Sequence, residues 1–106
     1  MDKTTDPFYK SRRWKMLREF VMRRDYYLCQ YFKRYGKMRQ AQTVHHIFPR
    51  EDYPQYQWCA WNLIGLSYEA HNRMHDRNTG ALTAEGKALM MKAAREQGIA
   101  IDHACG

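Results

Sequence analysis

Two prolines limit this chain more than any other feature. Pro49 and Pro54 stand inside "FPREDYPQYQWCAW". Each lacks a backbone amide and clashes with the preceding helical turn, so no helix runs across this stretch. The segment before it, "TVHHI" at 43–47, is short and β-branched and reads as a strand. The segment after it, "NLIGLS" at 62–67, reads as a second strand, and "YEAHNRMHDR" at 68–77 as a helix. The middle of the chain is therefore strand, long connection, strand, helix. Successive side chains on a strand point to opposite faces, so the neighbours His45 and His46 cannot share one task.

The flanks add helices. In "SRRWKMLREFVMRRD", Trp14, Leu17 and Val21 recur at helical spacing with Phe20 beside them, and Ser11 is placed to cap the N-terminus. Arg12, Arg13, Lys15, Arg18, Arg23 and Arg24 surround that stripe and give the helix a basic surface. "YYLCQYFKRYGKMRQAQ" follows, with a turn at Gly36 and with Tyr27 and Phe32 assigned to the core. After a turn at "NTG", Thr83 caps a last helix, "AEGKALMMKAAREQ", closed by Gly98 and packed through Leu82, Leu89, Met90 and Ala93. Residues 1–7 read as a loose arm.

The charge is uneven. Residues 1–50 hold 13 Lys/Arg against 4 Asp/Glu, whereas residues 51–106 hold 5 against 7. A cationic half suits a polyanionic partner, and nucleic acid is the commonest one for a small intracellular domain. At 106 residues the chain is one small domain with a single modest core. Apolar stretches are only a few residues long, so no membrane span is expected, and the N-terminus lacks the apolar centre of a secretory signal. Three widely spaced cysteines argue against a disulfide framework and fit a reducing compartment. These features predict an intracellular protein.

Four of the five histidines fall in two pairs, His45/His46 and His71/His75. On a helix the second pair lies one turn apart on one face, a geometry that lets both imidazoles hold one ion. A strand histidine reaching the same ion completes a three-histidine shell with an open position, as a catalytic site requires. The other strand histidine, near the ion but not bound to it, is placed to take a proton from water. The Asn62 amide can brace the long connection or orient that base.

This order, His-His, then Asn, then His with a further His four residues on, resembles the HNH endonucleases. Their core is the ββα-metal (His-Me finger) fold. The wider frame of "FYKSRRWKMLREFVMRRDYYLCQ", "VHHIFPRE", "NLIGLS" and "AHNRMHDR" is similar to the small HNH proteins of bacteriophages and prophages. The His-His and H-x-x-x-H pattern is also similar to the nuclease domains of colicin-type toxins, which use a three-histidine shell. The resemblance implies an α+β fold: an HNH core over 8–78, with a basic N-terminal helix and an added C-terminal helical extension over 79–106. It implies that His45, His71 and His75 bind one divalent metal ion (Zn, Mn, Ni or Mg), that His46 is the general base, and that Asn62 positions the base or the loop. It implies metal-dependent hydrolysis of DNA phosphodiester bonds, as nicks or double-strand breaks, by a monomer or dimer in the bacterial cytoplasm. A phage terminase or packaging protein is the implied partner. Phosphate contacts are expected from Arg12, Arg13, Lys15, Arg18, Lys33, Arg34 and Arg73.

The chain departs from the pattern at one place. Many phage-type HNH domains carry a structural zinc on two C-x-x-C pairs. Here the first pair reads "CQYF", keeping Cys29 but with Phe32, and the second reads "SYEA", with Ser67 and Ala70. One thiol of four cannot hold that ion, so no structural zinc is expected. Phe32 and Ala70 are expected to fill its place, with Cys29 a buried thiol. The rival readings are a non-catalytic DNA-binding module with a structural metal, an RNase or toxin-like nuclease using the same site, and a structural interaction protein.

Overall fold

In the computed structural model, residues 6–101 are described. Helix α1 (Pro7–Lys10) and helix α2 (Arg12–Arg24) lead to the short helix α3 (Gln30–Lys33) and strand β1 (Thr43–His46). The long connection carries two 3-10 turns, the first starting at Pro54, and ends in strand β2 (Leu63–Leu66). Helices α4 (Tyr68–Met74) and α5 (Ala84–Gln97) complete the chain. This is the expected α+β architecture, with one antiparallel two-stranded ribbon and helices on both faces.

The ribbon's register decides what each helix covers. Thr43 pairs with Leu66, Val44 with Gly65, His45 with Ile64, and His46 with Leu63. Directly opposed residues share a face. Val44, His46 and Leu63 therefore face α2, where Val44 and Leu63 pack with Trp14, Val21, Met22 and Ala41. Ile64 and Leu66 face the other way, into Cys29, Phe32, Ala70 and Met74. A third cluster joins Ile47 and Phe48 to Ala93 and Ala94 of α5. The expected single core is thus three patches. A ribbon four residues long has too little face to gather five helices around one point, so the helices divide among separate patches.

The caps behave as the residue types require. Ser11 Oγ accepts from Trp14 N, Thr83 Oγ1 from Gly86 N, and Gly98 closes α5 with φ 68°. Two expectations fail here. The loose arm is ordered from Asp6, which caps α1 by accepting from Phe8 N; the rest of it, residues 1–5, lies outside the described residues. Tyr27 is exposed, not core. The chain reverses after α2 through positive φ at Tyr26 and Tyr27 (both 56°), which turns the ring outward to hydrogen-bond Glu19. That bond raises the Tyr27 phenol's pKa.

Arg24 also leaves the expected basic surface. Its guanidinium donates to the Asp25 carboxylate and to the carbonyls of Ala60 and Leu63, while Asp25 Oδ2 accepts from Gly65 N at 2.8 Å. It ties the end of α2 to β2.

Gly86 lets α5 approach α4. A Cβ there meets the Met74 carbonyl oxygen at 2.5 Å and Leu82 Cδ2 at 2.8 Å. Gly86→Ala is expected to lose about 1–3 kcal/mol by overpacking, more than the gain in helix propensity. Urea denaturation checks this; an unchanged or higher midpoint would contradict the close approach.

Candidate metal centre

His45 leaves β1 toward α4 and is 1% exposed. His71 stands in α4, opened by Ser67, whose hydroxyl accepts from Ala70 N. His75 is not on that helix. Thr83 takes the last α4 carbonyls, its hydroxyl donating to Arg73 O and its amide to Met74 O. His75 peels away with φ −128° and ψ 141° and bridges to Leu82 as isolated β-structure. The expected i, i+4 stacking on one helix is therefore replaced by a helix residue and an extended residue.

The convergence survives this change. Ring centroids lie 5.1 Å apart for His45 and His71, 5.2 Å for His45 and His75, and 5.4 Å for His71 and His75. One nitrogen from each lies within 4.8 Å of the other two. His75 Nδ1 donates to the Gly80 carbonyl at 3.1 Å, which puts its basic lone pair on Nε2. A histidine whose second nitrogen is held by a carbonyl is what metal ligands typically show. The 76–81 turn that presents Gly80 is organised by Asp76, whose carboxylate accepts from Thr79 N and Asn78 N. Those two bonds hold its carboxyl below the usual range. The donor set fits a divalent ion with an open position.

His46 points to the opposite face, as alternation demands, but that face is not open water. It is 7% exposed, stacked on Trp14 at 5.3 Å and 19°, with Phe8 at 5.7 Å. Helices α1 and α2 cover the face that sequence reading leaves to solvent. The ring still lines the same cleft as His45, His71 and His75. Its Nε2 lies 3.2 Å from the Gln57 carbonyl. A carbonyl only accepts, so Nε2 donates and the lone pair of the neutral ring falls on Nδ1.

Asn62 is fully buried at the end of the connection. Its Oδ1 accepts from Phe48 N at 2.7 Å, and its Nδ2 donates to Phe48 O and Tyr56 O, both at 3.2 Å. Of the two tasks open to it, the recorded bonds are those of a loop brace.

The fold resembles that of a solved protein, the HNH endonuclease of the deep-sea thermophilic bacteriophage GVE2, whose crystal structure holds a manganese ion. The two chains share 33% identity with a TM-score of 0.62, over 69% of this chain and 89% of that one. This chain belongs to the HNH endonuclease family. No family model matches its sequence. No curated protein matches it either.

In this HNH protein the cationic residues expected to contact DNA lie away from the histidine cleft. Arg13 sits over the Trp58 ring at 4.1 Å, and Arg18 donates to the Gln42 carbonyl. Lys33 and Arg34 line a separate hollow between α3 and α5. Arg73 bonds Glu69 and lies 5.7 Å over Tyr31. Arg12 and Lys15 are exposed on α2. None of the seven lines the cleft; Arg50 and Lys87 do. Sequence reading passed over both, although Arg50 stands only four residues after His46.

Cys29, Phe32 and Ala70 pack in one apolar cluster with Leu66 and Met74. Cys29 is buried, as expected of a thiol without a ligand role. Among the described residues, no helix is long and apolar enough to cross a membrane.

Proposed function

We propose that this protein is a metal-dependent DNA endonuclease that hydrolyses phosphodiester bonds at the histidine cleft, within one domain running from α1 through α5. The observation that carries the reading is the convergence of His45, His71 and His75 from three separate segments, with His46 in the same cleft. His45, His71 and His75 would hold one divalent ion. A divalent ion there supplies Lewis-acid stabilisation of charge on the phosphate and on the leaving 3′ oxygen. His46 accepts the proton of the attacking water at Nδ1, while the Gln57 carbonyl keeps its ring in the basic tautomer. Asn62 touches no reacting atom and is a positioning residue. It holds Phe48 and Tyr56, and so the loop from which Gln57 reaches His46. The exposed cations of α2 track the DNA backbone outside the cleft and carry sequence-independent affinity.

The test uses supercoiled plasmid and metal-stripped protein, with Mg, Mn, Ni, Co or Zn added in turn. Conversion to open circle or linear form is expected with at least one metal, Mn foremost because the similar phage enzyme holds it. No conversion with any of them, alongside retained DNA binding, would favour the binding module. Faster cleavage of structured RNA than of plasmid would favour the RNase.

A further inference from the structure

The basic surface on α2 lies outside the cleft, so a cation that meets the phosphate next to the metal has to come from the cleft's own lining. Arg50 is the better fixed of the two present. Asp6 Oδ2 accepts from its Nη2 at 2.9 Å, while Asp6 Oδ1 caps α1 through Phe8 N at 2.9 Å. The Arg50 guanidinium lies 4.1 Å over the Phe8 ring and 5.3 Å over the Tyr9 ring. Its side chain is 24% exposed, so the head group is neither free in solvent nor sealed. Burial raises the Tyr9 phenol's pKa, with Arg50 opposing, so the cradle's hydroxyl stays neutral.

We propose that Arg50 grips the phosphate beside the scissile bond, and that Asp6, Phe8 and Tyr9 form a cradle that presents it to the cleft. The proposal rests on the nuclease reading above. Three features support it. Arg50 comes four residues after the end of β1, so the strand that delivers His45 and His46 also brings it to the cleft. Its rotamer freedom is already spent on the cradle, so little ordering remains to be done when substrate arrives. A planar fork with five donors matches two phosphate oxygens, and Asp6 engages only one corner of it in the recorded bond. On this account α1 belongs to the active site, because the helix and its N-cap carry the three residues that aim Arg50.

The rival explanation is that Arg50 merely pins α1 to the body of the protein. Three measurements on the full chain separate the two: plasmid nicking with Mn at saturating DNA, Mn affinity by calorimetry, and duplex affinity across a NaCl series. Arg50→Ala is expected to slow nicking by about 10²–10³-fold, as for loss of one donor to transition-state charge. Mn affinity should stay at the wild-type value. The salt dependence of DNA binding should lose about one phosphate contact. Arg50→Lys should restore the salt dependence but not the rate, since an ammonium lacks the fork. Asp6→Asn loosens the cradle but keeps the guanidinium, and should lower the melting temperature and slow nicking by much less than Arg50→Ala, with the phosphate contact retained in the salt series. Arg50→Ala with wild-type rate and salt dependence would overturn the proposal. So would equal losses of rate and melting temperature in Arg50→Ala and Asp6→Asn. A wild-type protein that fails to nick with any of the five metals overturns the nuclease reading instead, and the salt series then decides the phosphate contact alone.

Discussion

Replacing His46 with alanine is expected to slow metal-dependent plasmid nicking by about 10²–10⁴-fold, the contribution of a positioned general base. Metal affinity, measured by calorimetry, should be unchanged, because His46 leaves β1 on the face opposite His45. The substitution also removes a ring stacked on Trp14, so some stability is lost with the rate. His46→Gln fills more of that space without supplying a base of suitable pKa, and should be as slow as alanine but more stable. If either variant nicks at the wild-type rate, His46 is not the base. A rate loss accompanied by an equal loss of metal affinity would place His46 in the ligand set.

Asn62→Ala is the second large effect, and it is a stability effect. The side chain satisfies Phe48 N, Phe48 O and Tyr56 O inside the protein. An unsatisfied buried backbone group costs about 1–3 kcal/mol, so losing the amide is expected to cost about 3–5 kcal/mol after partial relaxation. Small domains are stable by only about 5–15 kcal/mol, so this variant stands near the edge of folding. At about 4–8 °C per kcal/mol, its melting temperature should fall by more than about 12 °C. Asn62→Asp keeps the acceptor for Phe48 N but loses both donations, and should fall between the two. An Asn62→Ala protein with unchanged melting temperature and no activity would move Asn62 from the loop to the chemistry.

Much of the histidine cluster's geometry was legible in the sequence, and the reason is periodicity. Alternation on β1 separates His45 from His46, and the prolines define the connection, so both strands and their order follow from local rules. What escaped depended on contacts between distant segments. His75 leaves the helix because Thr83, nine residues after Met74, captures the helix's last carbonyls; helical spacing carries no trace of that competition. The face of His46 is covered because α1 and α2 fold over it, and α1 is too short to show a pattern. The cationic residues were chosen by density of charge. Charge density finds a surface, whereas Arg50 is defined by a single carboxylate 44 positions away. Tyr27 misled for a simpler reason: an aromatic ring is a good core residue only where the backbone turns it inward.

The capture of α4 by Thr83 bears on where this protein can be cut. A fragment ending at residue 78 would keep the four cleft histidines, both strands and Asn62, and by motif would look whole. It would lack the Gly80 carbonyl that holds His75, the Leu82 backbone that pairs with it, and the Thr83 hydroxyl that ends the helix before it. Such a piece could spell the family's signature and still wind His75 onto one more turn of α4. The residues by which the domain is recognised and those that assemble it are different sets. The second set runs to Thr83, the N-cap of α5, and α5 itself seats Gly86 against Met74, which makes the C-terminal helix part of the smallest unit worth expressing.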